Sequence, residues 1–235
     1  VGISPDANVF LEWKFVVINA TLVWTWLVMA LMVLGSWLIT RKLSSGPEIS
    51  RFQNLLEVIV DYTRSQIGEI ARRQPERFLP FIGSLFLFIA VSNLLGIIPG
   101  FEPPTGSLST TTGLAICVFA AVPLFGMTSR GLGPYLKQYL KPSPFMLPFN
   151  VIGELSRTLA LAVRLFGNVM SGAKIVAILL AITPIIFPVV MQLFGLLTGI
   201  IQAYIFAILA TVYIASGMRA RSNKTGQEKG DSPDG

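Results

Sequence analysis

The sequence predicts an all-α integral membrane protein of about five membrane segments, and three observations carry that prediction. Hydrophobic residues make up 53% of the 235-residue chain and charged residues only 13%, against about a quarter charged in soluble domains. The mean hydropathy is +0.68. The apolar residues gather into runs near the roughly 20 residues that cross a bilayer as a helix. Lysine and arginine concentrate in alternate connections between those runs, the pattern that topology imposes on membrane proteins.

The first apolar run, 15–39, carries Trp24, Trp26 and Trp37 and is stopped by Arg41 and Lys42. Ser44-Ser45-Gly46-Pro47 then reads as a turn. Over 49–73 the pattern turns amphipathic. Phe52, Leu55, Leu56, Ile59 and Ile67 recur at helical spacing, with Arg51, Glu57, Asp61 and Arg64 on the other face. That pattern predicts a helix lying at the membrane interface, with a soluble-type partner helix as the alternative.

A second span covers 78–98 and closes at Pro99-Gly100. A third, rich in threonine at its start, covers 108–127. A hairpin of two long segments fills 145–216, broken by Thr183-Pro184 and Pro188. Its first arm is roughly 35 residues, or about 50 Å at 1.5 Å per residue. That exceeds a hydrocarbon core of roughly 30 Å, so the arm must tilt, kink or start outside it. The polar tail, 219–235, is expected to be disordered. The whole chain, 1–235, reads as one membrane domain.

Seven basic residues lie between the first two spans: Arg41, Lys42, Arg51, Arg64, Arg72, Arg73 and Arg77. The loop after the third span and the tail are basic too, while the opposite loops hold only Lys14. The N-terminus is therefore expected outside and the C-terminus in the cytoplasm. The opening VGISPDANVFLEWK lacks the basic n-region of a signal peptide.

Composition excludes several chemistries. There is no histidine and a single cysteine, Cys117, so no intramolecular disulfide and no thiol or imidazole metal site is expected. The net charge of +6 sits where topology explains it, so nucleic acid is not an expected partner. No cofactor motif is present.

The informative residues are charges inside the hairpin: Glu154, Arg157, Arg164 and Lys174. Each costs about 2.5–3.5 kcal/mol at membrane depth on insertion scales. Glu154 and Arg157 can pair at i, i+3 or reach headgroups, and Lys174 can snorkel toward the other side. Arg164 is placed where snorkelling is difficult. At 100° per residue, Arg157, Arg164, Asn168 and Ser171 form one polar stripe that must face protein or water. On the second arm Gly195, Thr198, Gly199 and Gln202 share a face, where small residues allow close helix approach. Gln202 can hydrogen-bond across the hairpin or serve as packing glue. An arginine effectively never loses its proton. Between two aqueous half-paths it blocks a leak and attracts a passing carboxylate while relaying no proton itself.

Arg164-Leu165-Phe166-Gly167-Asn168 resembles the RLFGN motif of subunit a of F-type ATP synthases. Leu147-Pro148-Phe149-Asn150 before it, Gln202-Ala203-Tyr204-Ile205-Phe206 in the last segment, and Ser92-Asn93-Leu94-Leu95-Gly96-Ile97-Ile98-Pro99 are similar to that family's blocks. The resemblance runs from about residue 15 to 218. It implies that Arg164 faces the carboxylates of a rotating c ring, with Asn168 and Gln202 as polar neighbours on the ion path. It implies two offset half-channels, with Ser171, Thr198, Glu154, Arg157, Asn93 and Glu102 as further candidates for lining them. The implied partners are the c-subunit ring, the peripheral-stalk subunit b, the cytoplasmic catalytic head indirectly, and the bilayer. The implied location is a bacterial inner membrane. The chain itself would not be catalytic, because the head alone handles ATP.

The sequence also departs from the family pattern. Many members carry a glutamate where Ala173 stands, with glycine or histidine as its partner where Gly195 stands. An acid is also common in place of Gly96 and in the Thr105–Thr112 loop. The outer half-path is thus poor in carboxylates, with Glu102 or Glu154 as substitutes. This leaves sodium open beside the proton and is compatible with a divergent sodium-type branch. A secondary transporter and a membrane scaffold are the readings from other classes.

Overall fold

The computed structural model describes residues 9–13, 16–41, 51–71, 77–98, 100–130, 146–182 and 186–219. Among them are six helices: α1 (Ala20–Thr40), α2 (Arg51–Ala71), α3 (Leu79–Leu95), α4 (Leu108–Arg130), α5 (Met146–Ile182) and α6 (Ile186–Arg219). A 3₁₀ turn, Pro104–Gly106, lies between α3 and α4. The tail beyond 219, the basic loop 131–145 and the Ser44–Pro47 turn lie outside the described residues.

The chain is an all-α membrane protein. Among the described residues four helices are long and apolar enough to cross a membrane: α1, α4, α5 and α6. The fifth apolar helix, α3, has 17 residues and spans about 26 Å, so the second span is shorter than the 78–98 run suggests. Residues 96–98 leave the helix through hydrogen-bonded turns, Gly96 N–H to the Asn93 carbonyl and Ile98 N–H to that of Leu95.

The first span also starts later than its hydropathy indicates. Val16–Asn19 pair antiparallel with Val9–Trp13 in a two-stranded hairpin, and the helix begins at Ala20. The β-branched run Val16-Val17-Ile18 favours an extended pleated backbone as readily as a helix. Hydropathy alone cannot separate the two. Pro188, expected to break the hairpin, instead sits in the first turn of α6, where a missing N–H costs nothing.

Helix α6 is the centre of the packing. Its second half contributes Ala203, Phe206 and Ala210 to one apolar cluster with Leu85, Ile89, Val118, Leu161 and Leu165. It contributes Ala207 and Ile214 to another with Ile67, Phe78 and Ile82. Alanines at these positions let α3, α4 and α5 approach closely, which is how helices associate where lipid supplies no hydrophobic drive. The first half of α6 instead exposes Phe187, Val189, Val190, Leu193, Phe194 and Leu197.

Several helical threonine hydroxyls are satisfied by their own backbone, as a lipid environment favours. Thr25, Thr63, Thr158 and Thr211 each donate to the carbonyl four residues earlier. Helix α2 docks its Ile67 edge on the bundle, with Ile67 only 1% exposed. The Tyr204 hydroxyl of α6 donates to the Gln66 side-chain oxygen of α2 at 2.8 Å, and the Tyr62 and Tyr204 rings lie 6.1 Å apart. Replacing Tyr204 with Phe removes that bond, at a cost of about 0.5–1.5 kcal/mol. The expected result is faster amide exchange in α2 with the rest of the bundle unchanged. Unchanged exchange in α2 would show that the bond does not hold it.

Candidate functional site

The site is built on the α5–α6 hairpin, and its register can be read from two contacts. The Asn168 amide donates to the Thr198 carbonyl at 3.4 Å. Towards the opposite end of the hairpin, Glu154, Arg157 and Thr158 line one pocket with Tyr213 and Ser216. The arms are therefore antiparallel. Arg164 lies four residues before Asn168, and Gln202 four residues after Thr198. One turn along both helices, about 6 Å, thus brings Arg164 level with Gln202.

The two residues share a level but differ in surroundings. Arg164 is exposed on the outward face of α5, as are Arg157, Gly167, Ser171 and Lys174. No described residue gives the Arg164 guanidinium a hydrogen bond or an ion pair. Leu155, Leu159, Val163, Ile175 and Ile178 flank it, all exposed. A permanent cation ringed by apolar side chains cannot be left to lipid without a large penalty, so this face needs a partner that brings charge or water. Gln202 is 5% exposed, and its amide nitrogen has no hydrogen-bond partner. The Gln202 amide nitrogen thus makes no hydrogen bond across the hairpin, one of the two roles its sequence position leaves open. The tie is Asn168 to the Thr198 backbone, while the Thr198 hydroxyl donates to the carbonyls of its own helix.

Asn93 organises the other flank. Its amide nitrogen donates to the Gly199 carbonyl at 2.9 Å, and its oxygen accepts from the Thr105 hydroxyl at 2.8 Å. A Cβ on Gly199 would lie 2.9 Å from the Asn93 Cβ, so glycine is what lets α3 and α6 approach here. Thr105, Gly106 and Ser107 are buried, and Trp24 of α1 packs edge-on to Phe101 with centroids 4.8 Å apart. The 101–107 connection is thus drawn into the bundle until Thr105 reaches the level of Asn168 and Thr198. Glu102, in this connection, has one carboxylate oxygen buried without a partner.

The pocket at the opposite end adds Val118, Phe119 and Val122 of α4 to the hairpin residues. Pro123 lies inside α4 and withholds the usual donor from the Phe119 carbonyl, which supplies one more polar group near Glu154 and Arg157. Ala173 and Gly195 fall roughly opposite each other in the hairpin register, so that level has no titratable pair. Among the described residues no group of histidine, cysteine or acidic side chains could hold a metal ion.

The model of the ATP synthase A chain family matches residues 22–215, which include Asn93, Glu102, Arg164, Asn168, Thr198 and Gln202. The chain belongs to the ATP synthase subunit a family. It is 59% identical over 222 residues to ATP synthase subunit a of Albidiferax ferrireducens, covering 94% of this chain and 96% of that one. It is 62% identical over 214 residues to ATP synthase subunit a 2 of Acaryochloris marina, covering 91% and 92%. It is 60% identical over 223 residues to ATP synthase subunit a 1 of Chlorobaculum parvum, covering 95% and 99%. As a subunit a it is a multi-pass membrane protein with a stator role in ion translocation, and it is not catalytic alone.

Sequence reasoning named Arg164, Asn168, Gln202, Ser171, Thr198, Glu154, Arg157, Asn93 and Glu102. The hairpin register sets Arg164 level with Gln202 and joins Asn168 to Thr198. Asn93 is joined to Thr105 and Gly199, whereas Glu154 and Arg157 sit in a separate pocket two to three turns away. Ser92 was not singled out as a site residue. It is fully buried, and its hydroxyl has no partner. A serine in a short apolar helix reads as a hydroxyl bonded to its own backbone, so nothing in the sequence marks it.

Proposed function

We propose that the chain conducts the coupling ion between the two sides of the membrane and the carboxylates of a rotating c ring, coupling ion flow to ATP synthesis or hydrolysis. The observation that carries this reading is Arg164: exposed, unpaired among the described residues, set in an apolar face, and level with a buried, unpartnered Gln202 amide. A cation that cannot deprotonate favours the ionised form of a carboxylate arriving on that face. The arriving group releases its ion on one side of Arg164 and takes up another on the other side, while the fixed charge denies the ion a direct crossing. Asn168 and Gln202 supply polar contacts that do not compete for the charge.

The proton is the ion proposed, conducted through two half-channels. Sodium in the same role is the second reading, favoured by the missing acid at Ala173. The 101–107 end faces outside, because the connections at the other end carry the basic residues. Subunit b of the peripheral stalk and, through it, the catalytic head complete the partners. A secondary transporter would take up substrate as the purified chain alone, and a scaffold would leave Arg164 without a task.

The test is ATP-driven ion uptake by the reconstituted complex, with and without sodium. Replacing Gln202 with Leu should slow uptake several-fold without abolishing it, because the polar contact is lost and the charge is kept. Uptake equal to native would remove Gln202 from the path.

A further inference from the structure

Among the described residues, four buried side-chain atoms have no hydrogen-bond partner: Asn19 Oδ1, Ser92 Oγ, Glu102 Oε2 and Gln202 Nε2. Native structures leave few such groups, and each needs an explanation such as water or an ion. These four are not scattered. Asn19 immediately precedes α1, the helix whose Trp24 packs on Phe101. Glu102 follows Phe101 and is three residues from Thr105, so its backbone lies within about 10 Å of the Asn168 level by chain reach. Ser92 precedes Asn93, which is bonded to Gly199. Helices α3 and α6 run antiparallel, since Phe78 and Ile82 share a cluster with Ala207 and Ile214. Ser92 therefore falls between the levels of Gly199 and Gln202, within about 4.5 Å of Gln202 along the axis. The half of the bundle beyond Arg164, towards Glu154 and Tyr213, contains none of the four.

We propose that these atoms line the outer ion path of this stator, and that Glu102 is its ion-binding carboxylate. The inference rests on the stator reading above. The hairpin has no acid at Ala173 or Gly195, yet a path that collects a cation from water and delivers it towards Arg164 needs a group that binds a cation and lets it go. The Asn93–Thr105 bond draws the connecting loop inward and brings a carboxylate from α3–α4 into the space that the hairpin leaves without one. Glu102 takes up a proton or a sodium ion from outside water. Ser92 and the Gln202 amide, with water between them, carry the ion's hydrogen-bonding shell on to the level of Arg164. The other carboxylate candidate, Glu154, lies beyond Arg164 and belongs to the opposite side.

The experiment uses the complete complex in vesicles. ATP-driven ion uptake is measured per assembled complex, judged by co-purification of the ring. Glu102→Gln, equal in size but neutral, should lower uptake about tenfold or more. Glu102→Asp, which keeps the charge, should stay within about threefold of native. Native uptake in Glu102→Gln overturns the proposal, and so does equal loss in both variants, because shape rather than charge would then matter. Should Glu102→Gln fail to assemble, Ser92→Ala decides: several-fold slower uptake supports the path and native uptake overturns it. Arg164→Ala is run in parallel. If it loses uptake while Glu102→Gln does not, only the outer path falls. If it pumps normally, the stator reading falls. Runs with and without sodium identify the ion.

Discussion

Replacing Arg164 with Ala should reduce ATP-driven ion uptake at least about a hundredfold, equivalent to about 2.7 kcal/mol or more in the limiting step, while the complex still assembles. Assembly should survive because Arg164 bonds to no described residue and stands on an exposed face, so its removal leaves no buried partner unpaired. Transport should fail for two reasons. An arriving carboxylate loses the charge that makes it release its ion, and the two half-paths lose the barrier between them. A passive, ATP-independent ion leak should therefore appear as coupled uptake vanishes. Lysine is no substitute, because its ammonium can shed a proton when desolvated. Native uptake in the alanine variant, or loss of uptake caused only by failed assembly, would contradict this account.

Replacing Gly199 with Val should have the largest effect on stability. A Cβ there meets the Asn93 Cβ at 2.9 Å and its Cγ and Nδ2 at 3.1 Å, contacts too short to absorb without moving α3 from α6. Overpacking of this kind costs about 1–3 kcal/mol. Disturbing Asn93 also threatens its bonds to Gly199 and Thr105, where each buried group left unsatisfied costs about 1–3 kcal/mol more. The expected result is a clear drop in the temperature at which the complex dissociates. Combining Gly199→Val with Asn93→Ala should cost less than the two penalties together, since the second change removes the Asn93 Cγ and Nδ2, two of the three atoms the first one strikes, and leaves only the Cβ contact. Strict additivity would mean that the close approach is not what Gly199 provides.

The helices and the charged hairpin were legible in the sequence because lipid punishes deviation so severely. Apolar runs that cross the bilayer satisfy their backbone as helices or closed barrels, and an arginine inside one has to have a task. The boundaries were less so. Val16–Asn19 reads as the start of a span because hydropathy does not distinguish a pleated hairpin from a helix, and α3 ends early in hydrogen-bonded turns that are as apolar as the helix. Within the site, Arg164, Asn168 and Gln202 stood out because polar residues are rare there. The Asn93–Thr105–Gly199 clamp did not, because it joins residues 12 and 106 positions apart, and no local pattern encodes such pairings. Ser92 was silent for a related reason: only burial without a partner distinguishes it from other helical serines.

The outward face of α5 around Arg164 is the surface proposed to meet the ring. Cysteine cross-linking tests it most directly, in a Cys117→Ser background that removes the chain's own thiol. Gly167 is exposed beside Arg164, and a Cβ there meets no heavy atom within 4 Å, so Gly167→Cys should fold. Leu165, one residue from Arg164, is 0% exposed and points the other way. A disulfide is expected between Gly167→Cys and a cysteine placed beside the ring carboxylate, and none from Leu165→Cys. A cross-link from Leu165→Cys with none from Gly167→Cys would place the ring on another face and contradict the assignment of Arg164.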